Sequence, residues 1–277
     1  MRVLAAIPAR YGSQRLPGKP LLEINGLPMI SHVVRAARQA ELVDAVLVAT
    51  DCKAIAAVAR DEGAVAVMTD SAIPSGTDRI EAAIRQCGIR ADIVVNVQGD
   101  EPMLPPSAIS SVARLLLESP SAEMSTLCAP LPLSALCDPS RVKIVCREDF
   151  DGQTHAGSTR SLLALYFSRA PIGIDRALLQ EVLTSGKNGM DAHATACANE
   201  ALHTCSLHLG VYGYRRAALD RFVSLPQSRL EQLERLEQLR ALEAGMRILV
   251  GQVAHAPQNV DTEADLLAVR ELVRRRT

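Results

Sequence analysis

The 277-residue sequence contains no tryptophan, and aromatic residues make up only 3% of it. That removes the stacking platforms on which single-stranded nucleic acid is held. An excess of positive charge is also missing: 30 Lys and Arg oppose 31 Asp and Glu, for a formal net charge of −1. With no overall field to collect DNA or an anionic membrane surface, any anion site must be local. No apolar run approaches the roughly 20 residues of a membrane span, and the N-terminus reads as a strand instead of a charged region before a signal core. The seven cysteines form no C-x-x-C pair, which argues against a zinc or disulfide framework and for reduced thiols. Together these absences predict a cytoplasmic protein that binds neither nucleic acid nor membrane.

What is present is α/β grammar. Short apolar runs at Val3–Ile7, Ala45–Thr50, Ala64–Met68, Ile93–Val97 and Met124–Ala129 read as strands. Amphipathic stretches at Pro28–Ala40, Lys53–Glu62, Thr77–Cys87 and Pro106–Glu118 read as the helices between them. Such alternation predicts a doubly wound, mostly parallel sheet, with ligands beyond the carboxyl ends of its strands. We expect residues 1–130 to form the ligand-binding α/β core. Residues 131–277 read as a mixed extension that completes the same sheet and supplies a substrate or dimer surface. In that half, strands are expected at Arg141–Cys146, Leu162–Phe167, Leu207–Tyr214 and Ile248–Ala254, helices at Ser228–Ala244 and Thr262–Arg275, and a loop over Gly186–Thr204.

Directly after the first strand comes IPARYGSQRLPGKPL, with three cations, two glycines and three prolines from Pro8 to Pro20. It is not a Walker A loop, because five residues instead of four lie between Gly12 and Gly18, and Pro20 follows Lys19. Nor does it match the dinucleotide fingerprint, which needs G-x-G-x-x-G opening a helix. What remains is Arg10, Ser13, Arg15 and Lys19 on a stiffened loop, an inventory suited to several phosphates at once.

A second cluster is NVQGDEP, where Gln98, Gly99, Asp100 and Glu101 follow a nearly all-apolar strand. Carboxylates at such an edge can hold Mg²⁺ beside phosphates, since magnesium keeps several waters and takes one or two protein oxygens. Asp100, nearest the glycine turn, is the better ligand candidate. In SGTDR, Ser75 to Arg79, Thr77 reads as a helix N-cap, and Arg79 beside a helix N-terminus can bind an anion or a base edge. Asp261 precedes a helix with a Thr262–Asp265 capping box, and reads either as part of the cap or as a second metal carboxylate. Ser228 and Glu231 make another capping box ahead of leucines at spacing three, Leu230 to Leu242, read as a core or dimer helix. HLGVYGYR places His208, Gly210, Tyr212 and Tyr214 on one strand face.

These stretches, together with V-A-T-D, Y-F-S-R-A and L-E-Q-L-R, occur in one order along nearly the whole chain. The series resembles the 3-deoxy-manno-octulosonate (Kdo) cytidylyltransferases. The resemblance implies a Rossmann-like nucleotide-diphospho-sugar transferase fold, a homodimer, and Mg²⁺-dependent transfer of CMP from CTP to Kdo with release of pyrophosphate. The product would feed lipopolysaccharide or capsule synthesis. By residue, it implies that Arg10, Ser13, Arg15, Lys19, Ser75 and Arg79 hold the nucleotide, with Lys19, Arg10 and Asp100 central to catalysis. It further implies that Gln98, His208, Tyr212, Glu237 and Gln238 bind the sugar acid and that Asp100 and Asp261 bind Mg²⁺. The sequence departs from the family pattern at Ile73, Gly173, Ile174, Asn259 and 186–204, which leaves open 8-amino-Kdo or a sialic-type acid as acceptor. A non-catalytic CTP-binding relative is the competing class. A nicotinamide-dependent oxidoreductase is disfavoured by the missing glycine fingerprint.

Overall fold

The computed structural model of the protein describes residues 1–12, 16–149, 162–185 and 205–275. In chain order it runs β1 (Val3–Ala9), β2 (Glu23–Ile24), β3 (Leu27–Pro28), α1 (Met29–Gln39), β4 (Ala45–Thr50), α2 (Lys53–Asp61), β5 (Val65–Met68), α3 (Gly76–Cys87), β6 (Ile93–Asn96) and α4 (Pro106–Glu118). It continues with β7 (Met124–Pro130), β8 (Lys143–Glu148), β9 (Leu162–Ser168), α5 (Arg176–Ser185), β10 (Cys205–Arg215), α6 (Arg216–Ser224), α7 (Arg229–Glu234), α8 (Gln238–Glu243), β11 (Ile248–Gln252) and α9 (Glu263–Arg274).

Two compact units divide this mixed α/β chain. The first comprises Met1–Glu118, Gly210–Ser224 and Pro257–Thr277, and the second Ser119–Leu209 and Leu225–Ala256. This partition does not coincide with a single cut at residue 130, because the chain returns twice to the first unit. It does so through the end of β10 with α6, and again through α9.

In the first unit the strands lie in the order β5-β4-β1-β6 and all are parallel, with Ala5 opposite Val46 and Val95 and with Leu47 opposite Val65. Tyr212–Arg215 of β10 add an antiparallel strand beside β6. Six of the seven β1 residues and all four of β6 are buried. Continuous apolar runs of this kind belong to strands covered on both faces, and α1 packs with α2 while α3 packs with α6. On α1 the buried positions Met29, Ile30, Val33, Val34 and Ala37 follow helical spacing and form one face. A smaller cluster of Ile24, Met29, Val260, Leu266 and Val269 anchors α9 over the loop that follows β1.

In the second unit β11 runs parallel to β7 and antiparallel to β9, and β9 pairs antiparallel with β8 around an irregularity at Val145/Cys146. Cys205–Leu207 of β10 pair with β8. The expected single helix over Ser228–Ala244 is two helices, α7 and α8, broken at Arg235, whose φ is 54°. Two observations give the cause. Leucines at spacing three drift by about 60° per step and cannot share one face of a long helix, so Leu233 is 70% exposed while Leu239 is fully buried. In addition, the Arg169 side chain donates to the Glu234 and Arg235 carbonyls, taking acceptors a continuing helix would need. Helices α5 and α6 and the β2–β3 pair lie outside the sequence reading, whereas the other first-unit strands and helices fall within two residues of it. The loop expected over Gly186–Thr204 lies outside the described residues.

Candidate active site

The carboxyl ends of β1 and β6 open into a cavity of about 420 Å³ within the first unit. Its shape begins with Pro8, the penultimate residue of β1. A Cβ added to Gly99 would stand 2.9 Å from the Pro8 carbonyl oxygen, and one added to Gly76 would stand 3.1 Å from the Pro8 ring. Glycine at both places lets the turn after β6 and the start of α3 close in on the end of β1. Arg10, Lys19, Arg79, Gln98, Asp100 and Asp261 therefore line one space.

Lys19 reaches that space through a short 3₁₀ turn at Lys19–Leu21, preceded by Gly18 in the left-handed region at φ 67°. The Gly18 amide donates to the Tyr11 carbonyl at 3.1 Å, and this closes the loop on itself. The Lys19 ammonium, its side chain only 8% exposed, stands 2.7 Å from Asp100 Oδ2 and 3.4 Å from Asp261 Oδ1. Asp261 is brought there by the Val260 amide, which donates to the Asp100 carbonyl at 3.1 Å, and its Oδ2 accepts from Asn259 at 3.4 Å. The cap of α9 belongs to Thr262 and Asp265 as a complete capping box, so the Asp261 carboxylate is aimed at the cavity.

Beside this trio lies Glu101, which the sequence reading places in the same cluster and ranks below Asp100 as a ligand, without marking its carboxyl as buried. Burial, the adjacent carboxylate of Asp100 and then that of Asp261 push its pKa up to about 8, against the opposing pull of Lys19. Its Oε2 is buried without a hydrogen-bond partner. The preceding apolar strand and the turn-closing Pro102 were the available signal: a second acid so placed has little room to reach water. Among the described residues no three His, Cys, Asp or Glu side chains form a ready metal cage. Two hard carboxylate oxygens converging on one cation nevertheless suit an ion that keeps most of its ligands as water or phosphate.

The opposite wall is α3. Its N-cap is Ser75, whose hydroxyl accepts from the Asp78 amide, not Thr77. Thr77 is the second residue of the helix and fully buried, and its hydroxyl accepts from Asn96 Nδ2 at 3.2 Å. Asn96 Oδ1 in turn accepts from Gln98 Nε2 at 3.0 Å, so a buried polar chain fixes the side chain of Gln98. Arg79, 2% exposed, donates to Thr69 Oγ1 at 2.6 Å. Tyr212 is 5% exposed and packs its ring 6.3 Å from that of Tyr214. Ser13 and Arg15 lie outside the described residues.

Comparison with known proteins agrees along the whole length. The family model described as cytidylyltransferase matches residues 4–248. A 3-deoxy-manno-octulosonate cytidylyltransferase of Anaeromyxobacter sp. (strain Fw109-5) is 43% identical over 272 residues, covering 98% of this chain and 97% of that protein. One from Bdellovibrio bacteriovorus is 38% identical over 275 residues, covering 99% of this chain and 98% of its own. The chain belongs to the 3-deoxy-manno-octulosonate cytidylyltransferase family. A solved CMP:2-keto-3-deoxy-manno-octonic acid synthetase complexed with CTP superposes with a TM-score of 0.82 at 37% identity, covering 100% of both chains.

Within this cytidylyltransferase family member, three further candidate residues belong to the second unit. His208 Nε2 shares a 2.9 Å hydrogen bond with Thr126 Oγ1, and the Phe167 ring meets its imidazole edge-on at 5.0 Å. Burial pushes its pKa down to about 3, so the ring is neutral. Glu237 occupies the N-cap of α8, and Gln238, at its first turn, is 3% exposed. Three sequence departures from the family have a local account. Gly173 has φ 62° and a Cβ there would fall 2.6 Å from Val145 Cγ2. Ile174 packs against the cluster of Leu131, Leu136, Cys205 and Leu207, and Asn259 supports Asp261. Ile73 lies in the cavity wall.

Proposed function

We propose that this protein transfers CMP from CTP to Kdo and releases pyrophosphate. The observation that carries the reading is the convergence of Arg10, Lys19, Arg79, Asp100 and Asp261 on one cavity in a chain similar over its whole length to a synthetase solved with CTP. The cations supply electrostatic complement to a triphosphate, and Gln98 stands fixed at the same rim. The anomeric oxygen of the sugar acid bonds to the α-phosphorus as the bond to pyrophosphate breaks, and no covalent enzyme intermediate is needed. Arg10 and Lys19 counter the charge that collects on the departing pyrophosphate and align the chain of phosphates. Asp100 and Asp261 would hold Mg²⁺, which when bound neutralises phosphate charge and polarises the phosphoryl oxygens. His208, which is neutral, is assigned to the sugar acid together with Tyr212, Glu237 and Gln238.

The same reading takes the first-unit sheet as a doubly wound, Rossmann-like nucleotide fold, and the second unit as its substrate and dimerisation portion. It makes the protein a cytoplasmic homodimer serving lipopolysaccharide or capsule synthesis. No helix among the described residues is long and apolar enough to cross a membrane. The test is pyrophosphate release from CTP and Mg²⁺ with Kdo, beside 8-amino-Kdo, N-acetylneuraminate and no acceptor. Release with Kdo is expected; release only with another acid moves the acceptor assignment, and silence with all of them overturns the catalytic reading.

A further inference from the structure

Asp51 follows β4 and has no part in the assignments above. Its side chain is 14% exposed, and its Oδ2 lies 3.7 Å from Nη2 of Arg79. Its other oxygen, Oδ1, accepts the amide of Tyr11 at 2.9 Å. Arg79 sits in the first turns of α3, where the positive end of the helix dipole disfavours a cation. The nearer acid, Asp78, is engaged by the Ser75 hydroxyl at 2.7 Å. Asp51 is thus the countercharge that a guanidinium buried at that place needs.

The two oxygens do different work. One holds the backbone immediately after Arg10, and the other faces Arg79; Arg10 and Arg79 both line the cavity. The hold extends further, because the Tyr11 carbonyl accepts from Gly18, next to Lys19. We propose that Asp51 is a positioning residue for the nucleotide: it fixes the spacing between the loop carrying Arg10 and Lys19 and the wall carrying Arg79, and so sets affinity for CTP without touching it. This rests on the reading that the cavity takes CTP.

The experiment is calorimetric titration of CTP with Mg²⁺ into the full-length protein and its D51A and D51N variants, with KM for CTP and for Kdo measured in parallel. The unsubstituted protein binds CTP; if it does not, the CTP reading fails and the proposal with it. In D51A, loss of a charge-assisted contact weakens CTP binding by about 10- to 30-fold, while KM for Kdo stays within about twofold. In D51N the amide oxygen still accepts from Tyr11 but the charge opposite Arg79 is gone, so the loss is smaller, about 3- to 10-fold. A cycle with Arg79→Gln separates positioning from general support, since the D51N and R79Q losses are non-additive if Asp51 acts through Arg79. CTP affinity unchanged in D51N, equal losses for CTP and Kdo, or strictly additive losses in the cycle would each overturn the proposal. D51N keeps the test alive should D51A fail to fold.

Discussion

Two buried lysines, one in each unit, solve the same problem in opposite ways. Lys19 satisfies its ammonium with the carboxylates of Asp100 and Asp261, whose side chains are 41% and 34% exposed. Lys143, fully buried, gives its three hydrogens to main-chain carbonyls of Asp138, Arg141 and Arg169, the first two at 2.9 and 2.6 Å. Side chains facing a cavity can exchange partners when an anion or a metal arrives, whereas carbonyls already fixed in turns cannot. A buried cation therefore marks function when its partners are partly exposed carboxylates at a cavity, and architecture when its partners are backbone.

The comparison breaks most readily at Lys19. Lys19→Met is expected to lower kcat/KM by on the order of 10²- to 10³-fold, the scale seen when one preorganised donor to a transition-state oxyanion is removed. Its unfolding midpoint in urea should stay near that of the unsubstituted protein. Asp100→Ala should behave alike. Normal turnover in either purified, folded variant would deny the cavity its catalytic role.

Lys143→Met inverts the pattern. Three buried carbonyls lose their donor, at a cost of about 1–3 kcal/mol for each group left unsatisfied, less whatever water can repair. The midpoint should fall steeply while the folded fraction keeps its affinity for CTP. If CTP binding disappeared with stability intact, the contrast drawn between the two lysines would be mistaken.

How much of this the sequence discloses follows from the range of the interactions. Strands β1, β4 and β6 are legible because buried parallel strands need unbroken apolar runs, and Arg10, Lys19, Gln98 and Asp100 are legible because charge abruptly follows such runs. Asp261 shows its dual character in sequence, and only the capping box completed by Thr262 and Asp265 releases it for the cavity. The leucines at spacing three warn that one long helix cannot bury them all, but where the break falls is set by Arg169, 66 residues earlier in the chain than Arg235. The Thr77 cap misleads because Ser75 competes for the same helix start, and burial of Thr77 against Asn96 decides the outcome. Asp51 is invisible alone: it acquires meaning only once Tyr11 and Arg79 are both beside it.

Glu101 in the first unit and His208 in the second are both kept neutral, and the two should respond to pH in opposite directions. Glu101 has its pKa raised to about 8, chiefly by burial. Its folded form binds a proton that the unfolded chain has already released, so stability falls as pH rises from about 4.5 toward 8. His208 has its pKa lowered to about 3, also by burial. Here the unfolded chain takes up the proton first, so stability falls as pH drops from about 6.5 toward 3. Urea midpoints measured across pH for Glu101→Gln and His208→Gln should therefore diverge from the unsubstituted protein at opposite ends. The Glu101 variant gains relative stability toward alkaline pH, and the His208 variant loses less of its stability toward acid. Curves running parallel to that of the unsubstituted protein would mean that the two groups ionise freely, and that burial in both units admits more water than their packing implies.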